Sequence, residues 1–154
     1  MLTLDDVRGV FEHSPWVAER AWRKQPFASV DALHGEMMAV VRDASREEQL
    51  TLIRAHPELA GSMDLTADSS SEQGRLGFKT LSKSEFEKMA ALNRRYRETF
   101  GFPCIVALRL HASRESVMQE MERRSKNEKA AEIRNALEQI GHITRGRLEK
   151  LWAS

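Results

Sequence analysis

Residues 127–154 read NEKAAEIRNALEQIGHITRGRLEKLWAS, and within them Ile133, Leu137, Ile140, Thr144 and Leu151 recur at the spacing of one helical stripe. At about 100° per residue, Arg147 falls only about 20° from Ile140, whereas Arg145 lies about 140° away. Arg147 therefore points toward the interior and Arg145 toward water. An inward guanidinium needs an anion, either a protein carboxylate or a ligand. The alternative is a stem that carries the charge back out to solvent.

Upstream of this helix, start signals follow one another at short intervals and alternating strand patterns are nearly absent. Thr3 with Asp6, Ser45 with Glu48 and Ser82 with Glu85 have the capping-box spacing, in which hydroxyl and carboxylate satisfy the free amides of a first turn. Ser14 before Pro15 is a further start, with proline where its missing N–H costs nothing. Ser29, Ser113 and Asn127 can open three more. The spacing predicts helices over 4–12, 15–23, 30–43, 46–54, 83–99, 114–125 and 128–151. Gly101 is the expected C-terminal stop of one of them, and Pro103 prevents its resumption. Residues 55–81 read as a long connection with short helical turns inside it, and such loops are more often functional than not. Phe102 to Leu110 is apolar and reads equally as a short buried strand or a buried helix. The class is all-α and the chain is one domain, 1–154.

Composition excludes several functions. With 24 Lys and Arg against 23 Asp and Glu, the net charge is +1, so the basic excess of a phosphate-gripping nucleic-acid binder is missing. One cysteine among 154 residues cannot form an internal disulfide. The first residues are acidic where a secretory signal is basic. The longest apolar run, Cys104 to Leu108, is far short of the roughly 20 residues of a membrane span. The expectation is a cytoplasmic protein without membrane or nucleic-acid partners.

Three groups of residues carry candidate chemistry besides packing. His56 precedes Pro57, which pushes it out of the helical region, so its ring projects from a loop; imidazole titrates near neutrality and suits proton transfer. Ser69 and Glu72 stand at capping-box spacing, which reads as another helix start or as an anion site at a helix N-terminus facing a substrate. Arg147 is the third. Cys104 lies among apolar neighbours, where a thiol behaves as a small hydrophobe. Arg94-Arg95-Tyr96-Arg97 and Arg123-Arg124 read as solvated helix faces. No histidine or cysteine spacing suits a metal.

The same residues carry a resemblance. Ser14-Pro15-Trp16, Ala55-His56-Pro57-Glu58-Leu59-Ala60, Ser69 with Glu72-Gln73 and Gly77, Leu92-Asn93 with Tyr96, Phe100-Gly101-Phe102-Pro103, Arg109, and Glu132 through Arg147-Leu148 occur in an order and spacing that resembles the 2-oxo-4-hydroxy-4-carboxy-5-ureidoimidazoline (OHCU) decarboxylases of urate degradation. The likeness covers nearly the whole chain. It implies a helical bundle of about seven to nine helices, a homodimer, and decarboxylation of OHCU to (S)-allantoin and CO2 without a cofactor or metal. By the same resemblance His56 and Glu72 are catalytic, and Pro57, Ser69, Gln73, Ile105 and Arg147 contact the substrate. Cys104, Leu76 and Phe78 depart from the family's usual residues and affect pocket shape. The rival expectations are a helical scaffold with no turnover and an enzyme acting on a related ureido or imidazoline compound.

Overall fold

The computed structural model describes residues 2–61 and 65–154. Among them are eight α-helices: α1 Leu4–Val7, α2 Pro15–Ala21, α3 Val30–Asp43, α4 Arg46–Arg54, α5 Ala67–Arg75, α6 Lys83–Phe100, α7 Arg114–Arg124 and α8 Lys129–Ala153. Two 3-10 turns, Trp22–Lys24 and Leu108–Leu110, complete the regular structure, with no strand among the described residues. No described helix is long and apolar enough to cross a membrane.

Most starts sit where local chemistry puts them. Thr3, Ser45 and Ser82 each form a complete capping box, and Ser29 and Ser113 accept from the amide three residues on. Pro15 occupies the first turn of α2. Gly101 ends α6 with φ 81°, a left-handed conformation that glycine adopts without a Cβ clash.

The long helix α8 organises the bundle. Its 25 residues span about 38 Å at 1.5 Å per residue, and α1, α3, α4 and the 108–110 turn pack on it. Its buried stripe runs Glu132, Ile133, Ala136, Ile140, Gly141, Thr144, Arg147 and Leu148. Two charged residues thus mark the ends of an inward face, and each meets its own set of partners.

At the N-terminal end, Glu132 is fully buried and receives four donors. Tyr96 Oη (2.5 Å) and Arg124 Nε (2.8 Å) reach Oε1, while Asn127 Nδ2 (2.9 Å) and Asn135 Nδ2 (2.7 Å) reach Oε2. Arg124 also donates through Nη1 to the Ile105 carbonyl (2.6 Å) and to Glu120 (3.0 Å). Tyr96 packs between Phe100 and Phe102, with ring centroids 4.6 and 5.9 Å away.

Four local expectations are corrected. The first helix ends at Val7 instead of residue 12, because the Val10 carbonyl is turned to Arg147 Nη1 (3.0 Å). The helix inside 55–81 starts at Ala67, two residues before Ser69, with Thr66 as its cap; positions 62–64 of that connection lie outside the described residues. Asn127 does not open α8, whose cap is Glu128, since the Asn127 side chain is spent on Glu132. Arg124 and Tyr96 are not solvated but buried.

Phe102 to Leu110 is neither strand nor helix through residue 107. Buried backbone must find partners wherever it lies, and here side chains supply them. Arg124 takes the Ile105 carbonyl, Gln139 Oε1 accepts from Ala107 N (2.8 Å), and Arg75 takes the Leu108 carbonyl. The segment is thereby held as one wall of a cavity.

Removing the charge at Arg124 leaves Glu132 buried and uncompensated. Arg124→Met is expected to lower stability by about 3–5 kcal/mol, read as a fall in the urea midpoint. Arg94→Met, on the exposed side of α6, should stay within about 0.5 kcal/mol of the native protein. Equal effects of the two substitutions would mean that the buried pair does not hold this end of the bundle.

Candidate active site

At the other end of α8, Arg147 is buried and uses every part of its guanidinium. Nε and Nη2 form a two-pronged pair with Glu72, at 2.9 Å to Oε2 and 2.8 Å to Oε1. Nη2 also donates to Glu12 Oε1 (2.8 Å) and more weakly to Ser69 Oγ (3.3 Å), and Nη1 donates to the Val10 carbonyl (3.0 Å). Burial alone would favour deprotonation, but the charges and hydrogen bonds of Glu72 and Glu12 outweigh it and keep the group cationic.

Glu72 and Ser69 lie three apart on α5, on the face that meets α8. Ser69 does not cap the helix; its own amide is the group capped by Thr66 (3.2 Å), and its hydroxyl donates to Glu12. One turn further, Gln73 is buried and its Oε1 accepts from the Ala60 amide (3.0 Å). This bond ties α5 to the segment after His56, where Ala60 has φ 54°. Asn93 holds the same segment from α6, through Nδ2 to the Leu59 carbonyl (2.8 Å).

His56 follows α4 and is buried, with Nδ1 3.0 Å from the Leu52 carbonyl. A carbonyl only accepts, so Nδ1 carries the proton and Nε2 presents a lone pair. Nε2 has no hydrogen-bond partner among the described residues. Desolvation pushes the imidazole down to about 4, against opposing pulls from the Leu52 carbonyl and the charge of Glu12. The ring is therefore neutral near pH 7, with Nε2 able to accept a hydrogen bond from a group in the cavity.

His56, Pro57, Ser69, Glu72, Gln73, Ile105 and Arg147, the seven residues singled out from the sequence, line one cavity together with Leu59, Cys104, Val106, Leu108 and Ile143. Cys104 is a wall residue; burial pushes its thiol up to about 12. The cavity measures about 30 Å³, whereas small-molecule pockets are usually ~300 Å³ or more. A groove of about 610 Å³ adjoins it and shares Glu72, Leu108 and Ile143. Glu72 therefore stands between the inner cavity and open space, its carboxylate closed onto Arg147.

Sequence reasoning missed Glu12. An inward arginine announced that some anion was required, but nothing local distinguished Glu12 from the other acids. Its only signal is position, directly after the apolar pair Val10-Phe11. No group of three or more His, Cys, Asp or Glu suited to a metal occurs among the described residues.

The family model described as OHCU decarboxylase matches residues 3–149. The 2-oxo-4-hydroxy-4-carboxy-5-ureidoimidazoline decarboxylase of Haloferax volcanii is 42% identical over 145 residues, covering 94% of this chain and 86% of its own length. Among solved structures, an (S)-allantoin synthase aligns with a TM-score of 0.78 at 28% identity, over 96% of this chain. This chain spans 49% of that synthase chain. An OHCU decarboxylase crystallised in the presence of (S)-allantoin has the same fold, with a TM-score of 0.79 at 21% identity, over 97% of this chain and 99% of its own.

The buried neutral histidine links stability to pH. The unfolded chain binds a proton near the ordinary value of 6.5 and the folded one only near 4, so stability is fully present above about 6.5 and is lost as pH falls from there to 4. The loss should be on the order of 3 kcal/mol. His56→Asn, which keeps a donor toward Leu52, should flatten the fall in urea midpoint between pH 6.5 and 4. Parallel curves for the two proteins would show that the ring is not held neutral.

Proposed function

The chain belongs to the OHCU decarboxylase family, and from that premise we propose that it converts OHCU to (S)-allantoin and CO2, with His56 and Glu72 as catalytic residues and Arg147 as the substrate clamp. One observation carries the reading: the His56 lone pair, without a hydrogen-bond partner among the described residues, the Glu72 carboxylate and the Arg147 guanidinium line a single cavity.

The chemistry follows from the substrate's own bonds. Breaking the C–CO2 bond leaves an electron pair on a ring carbon, and the adjacent C=N of the imidazoline accepts it, so the substrate acts as its own electron sink. The carbon that loses CO2 carries a hydroxyl. His56 Nε2 removes the hydroxyl proton, giving the ring carbonyl of allantoin, and a proton is delivered to the neighbouring carbon that bears the ureido group. The ring nitrogen that took the electron pair gains a proton as well, so two protons enter and the hydroxyl proton leaves. The net proton, drawn from solvent, matches the charge of the lost carboxylate, and delivery to carbon from one face gives one enantiomer.

Arg147 presents a planar fork suited to an oxyanion. As the carboxylate-bearing substrate enters from the groove, it competes with Glu72 for the Nε and Nη2 edge. The released Glu72 then accepts from ring or ureido N–H groups on the open side. Pro57, Ser69, Gln73 and Ile105 complete the contact surface. Homodimeric assembly and a cytoplasmic location belong to the same proposal and rest on the family resemblance.

The test generates OHCU in situ from urate with uricase and hydroxyisourate hydrolase and follows the circular dichroism of (S)-allantoin. The protein should accelerate its appearance well beyond the spontaneous rate; no acceleration overturns the proposal. His56→Ala and Glu72→Ala should each lower kcat by about 10²–10⁴-fold while the far-ultraviolet spectrum stays native.

A further inference from the structure

Glu12 belongs to no helix and lies in the turn between α1 and α2, yet its side chain is only 1% exposed. Its Oε1 accepts from Arg147 Nη2 (2.8 Å), from Thr66 Oγ1 (2.9 Å) and from the Ser69 hydroxyl. Its Oε2 is buried with no hydrogen-bond partner among the described residues, the His13 ring nitrogen standing 4.0 Å away. The carboxylate is thus loaded on the one oxygen that meets Arg147. Buried polar groups are normally satisfied throughout, so this lopsided arrangement calls for an explanation.

The turn is shaped around the same guanidinium. Val10 turns its carbonyl to Arg147 Nη1 (3.0 Å), and Ser14 Oγ donates to the Glu12 carbonyl (2.8 Å). Between them, His13 holds φ 45°, a left-handed conformation that side-chain-bearing residues rarely adopt. One short segment therefore supplies two acceptors to the rear of Arg147, while Glu72 on α5 takes its front.

The division matters when the front partner leaves. Besides Glu12 and Glu72, the only other carboxylate within 4.0 Å of Arg147 among the described residues is Asp68, whose side chain is 52% exposed. Were Glu72 the sole close counter-charge, a substrate could take the Nε and Nη2 edge only by stripping Arg147 of its compensation. With Glu12 behind it, the guanidinium stays paired and fixed in its plane. Ser69, held by the same oxygen, stays turned to the cavity.

We propose that Glu12 is the positioning residue of this site: by gripping the rear of Arg147 and the hydroxyl of Ser69, it lets Glu72 release the guanidinium to an anionic substrate while Arg147 keeps its orientation and counter-charge. The kinetic consequence rests on the decarboxylase reading; the clamp itself does not.

Two substitutions separate the roles. Glu12→Gln keeps an acceptor and removes the charge, and Glu12→Asp keeps the charge and withdraws it by one methylene. At a temperature where circular dichroism shows a native fold, Glu12→Gln should lower kcat/KM by about a hundredfold, the scale of a small misplacement of a binding group, with KM raised. Glu12→Asp should lower it by about tenfold. In an Arg147→Lys background, Glu12→Gln should cost less than about threefold more, because the two substitutions act on one interaction. A Glu12 that serves the fold alone would reduce the melting temperature and leave kcat/KM of the folded enzyme native, which overturns the proposal. Should Glu12→Gln not fold, native kinetics in Glu12→Asp overturn it equally.

A second readout needs no turnover. The ¹⁵N-detected Nε–H signal of Arg147, identified by its loss in Arg147→Lys, should be protected from solvent exchange in the native protein. It should exchange about tenfold faster in Glu12→Gln, and by a smaller factor in Glu12→Asp; unchanged protection in a folded variant overturns the clamp. A native protein that shows this loss of protection on substitution but does not turn over OHCU would instead overturn the decarboxylase reading.

Discussion

One buried guanidinium sets the terms for this end of the molecule. Taking a charge out of water costs several kcal/mol unless partners replace its hydration, and Arg147 recruits them from two separate parts of the chain. The turn after α1 provides Val10 and Glu12, α5 provides Ser69 and Glu72, and α8 carries the arginine itself. None of these elements is close to the others in sequence. The early end of α1, the inward turn of Glu12 and the register of α5 all follow from satisfying the same group.

A second charged knot at the far end of α8 does different work. Arg124 and Glu132 are enclosed by Tyr96, Asn127 and Asn135, and through the Ile105 carbonyl they pin the irregular segment that forms a cavity wall. Its central pair is buried and most of its donors and acceptors are used, as expected of a fixture. Among the described residues each knot leaves a buried atom without a hydrogen-bond partner, Arg124 Nη2 in one and Glu12 Oε2 and His56 Nε2 in the other; the Arg147 site differs in placing the half-buried Glu72 beside a groove. Two buried arginines on one helical scaffold thus diverge in role because only one faces space that a ligand can enter.

The reaction asks for little beyond this geometry. A substrate whose own C=N accepts the electron pair needs an anion clamp, a base in the correct tautomer and an acceptor for its N–H groups. The Leu52 carbonyl fixes the tautomer of His56 by taking its Nδ1 proton. Desolvation then keeps the ring neutral, so that the same burial which costs stability in acid leaves the ring unprotonated near neutrality.

What could be read from the sequence was what local chemistry controls. Capping boxes at Thr3, Ser45 and Ser82 depend on residues three apart, the stop at Gly101 on one left-handed residue, and the inward turn of Arg147 on helical periodicity; each holds in the fold. The site residues were legible through family resemblance, and they converge on one cavity. What only the tertiary structure decided was who answers whom. Ser69 was free to leave its expected cap because Thr66 took that place, Asn127 because Glu132 needed a donor, and Arg124 turned inward because the same carboxylate and the Ile105 carbonyl were waiting there. Glu12 is the sharpest case. A buried cation announces from sequence that it requires an anion, but the partner's identity depends on which distant segment the fold brings within about 3 Å, and no spacing along the chain encodes that distance.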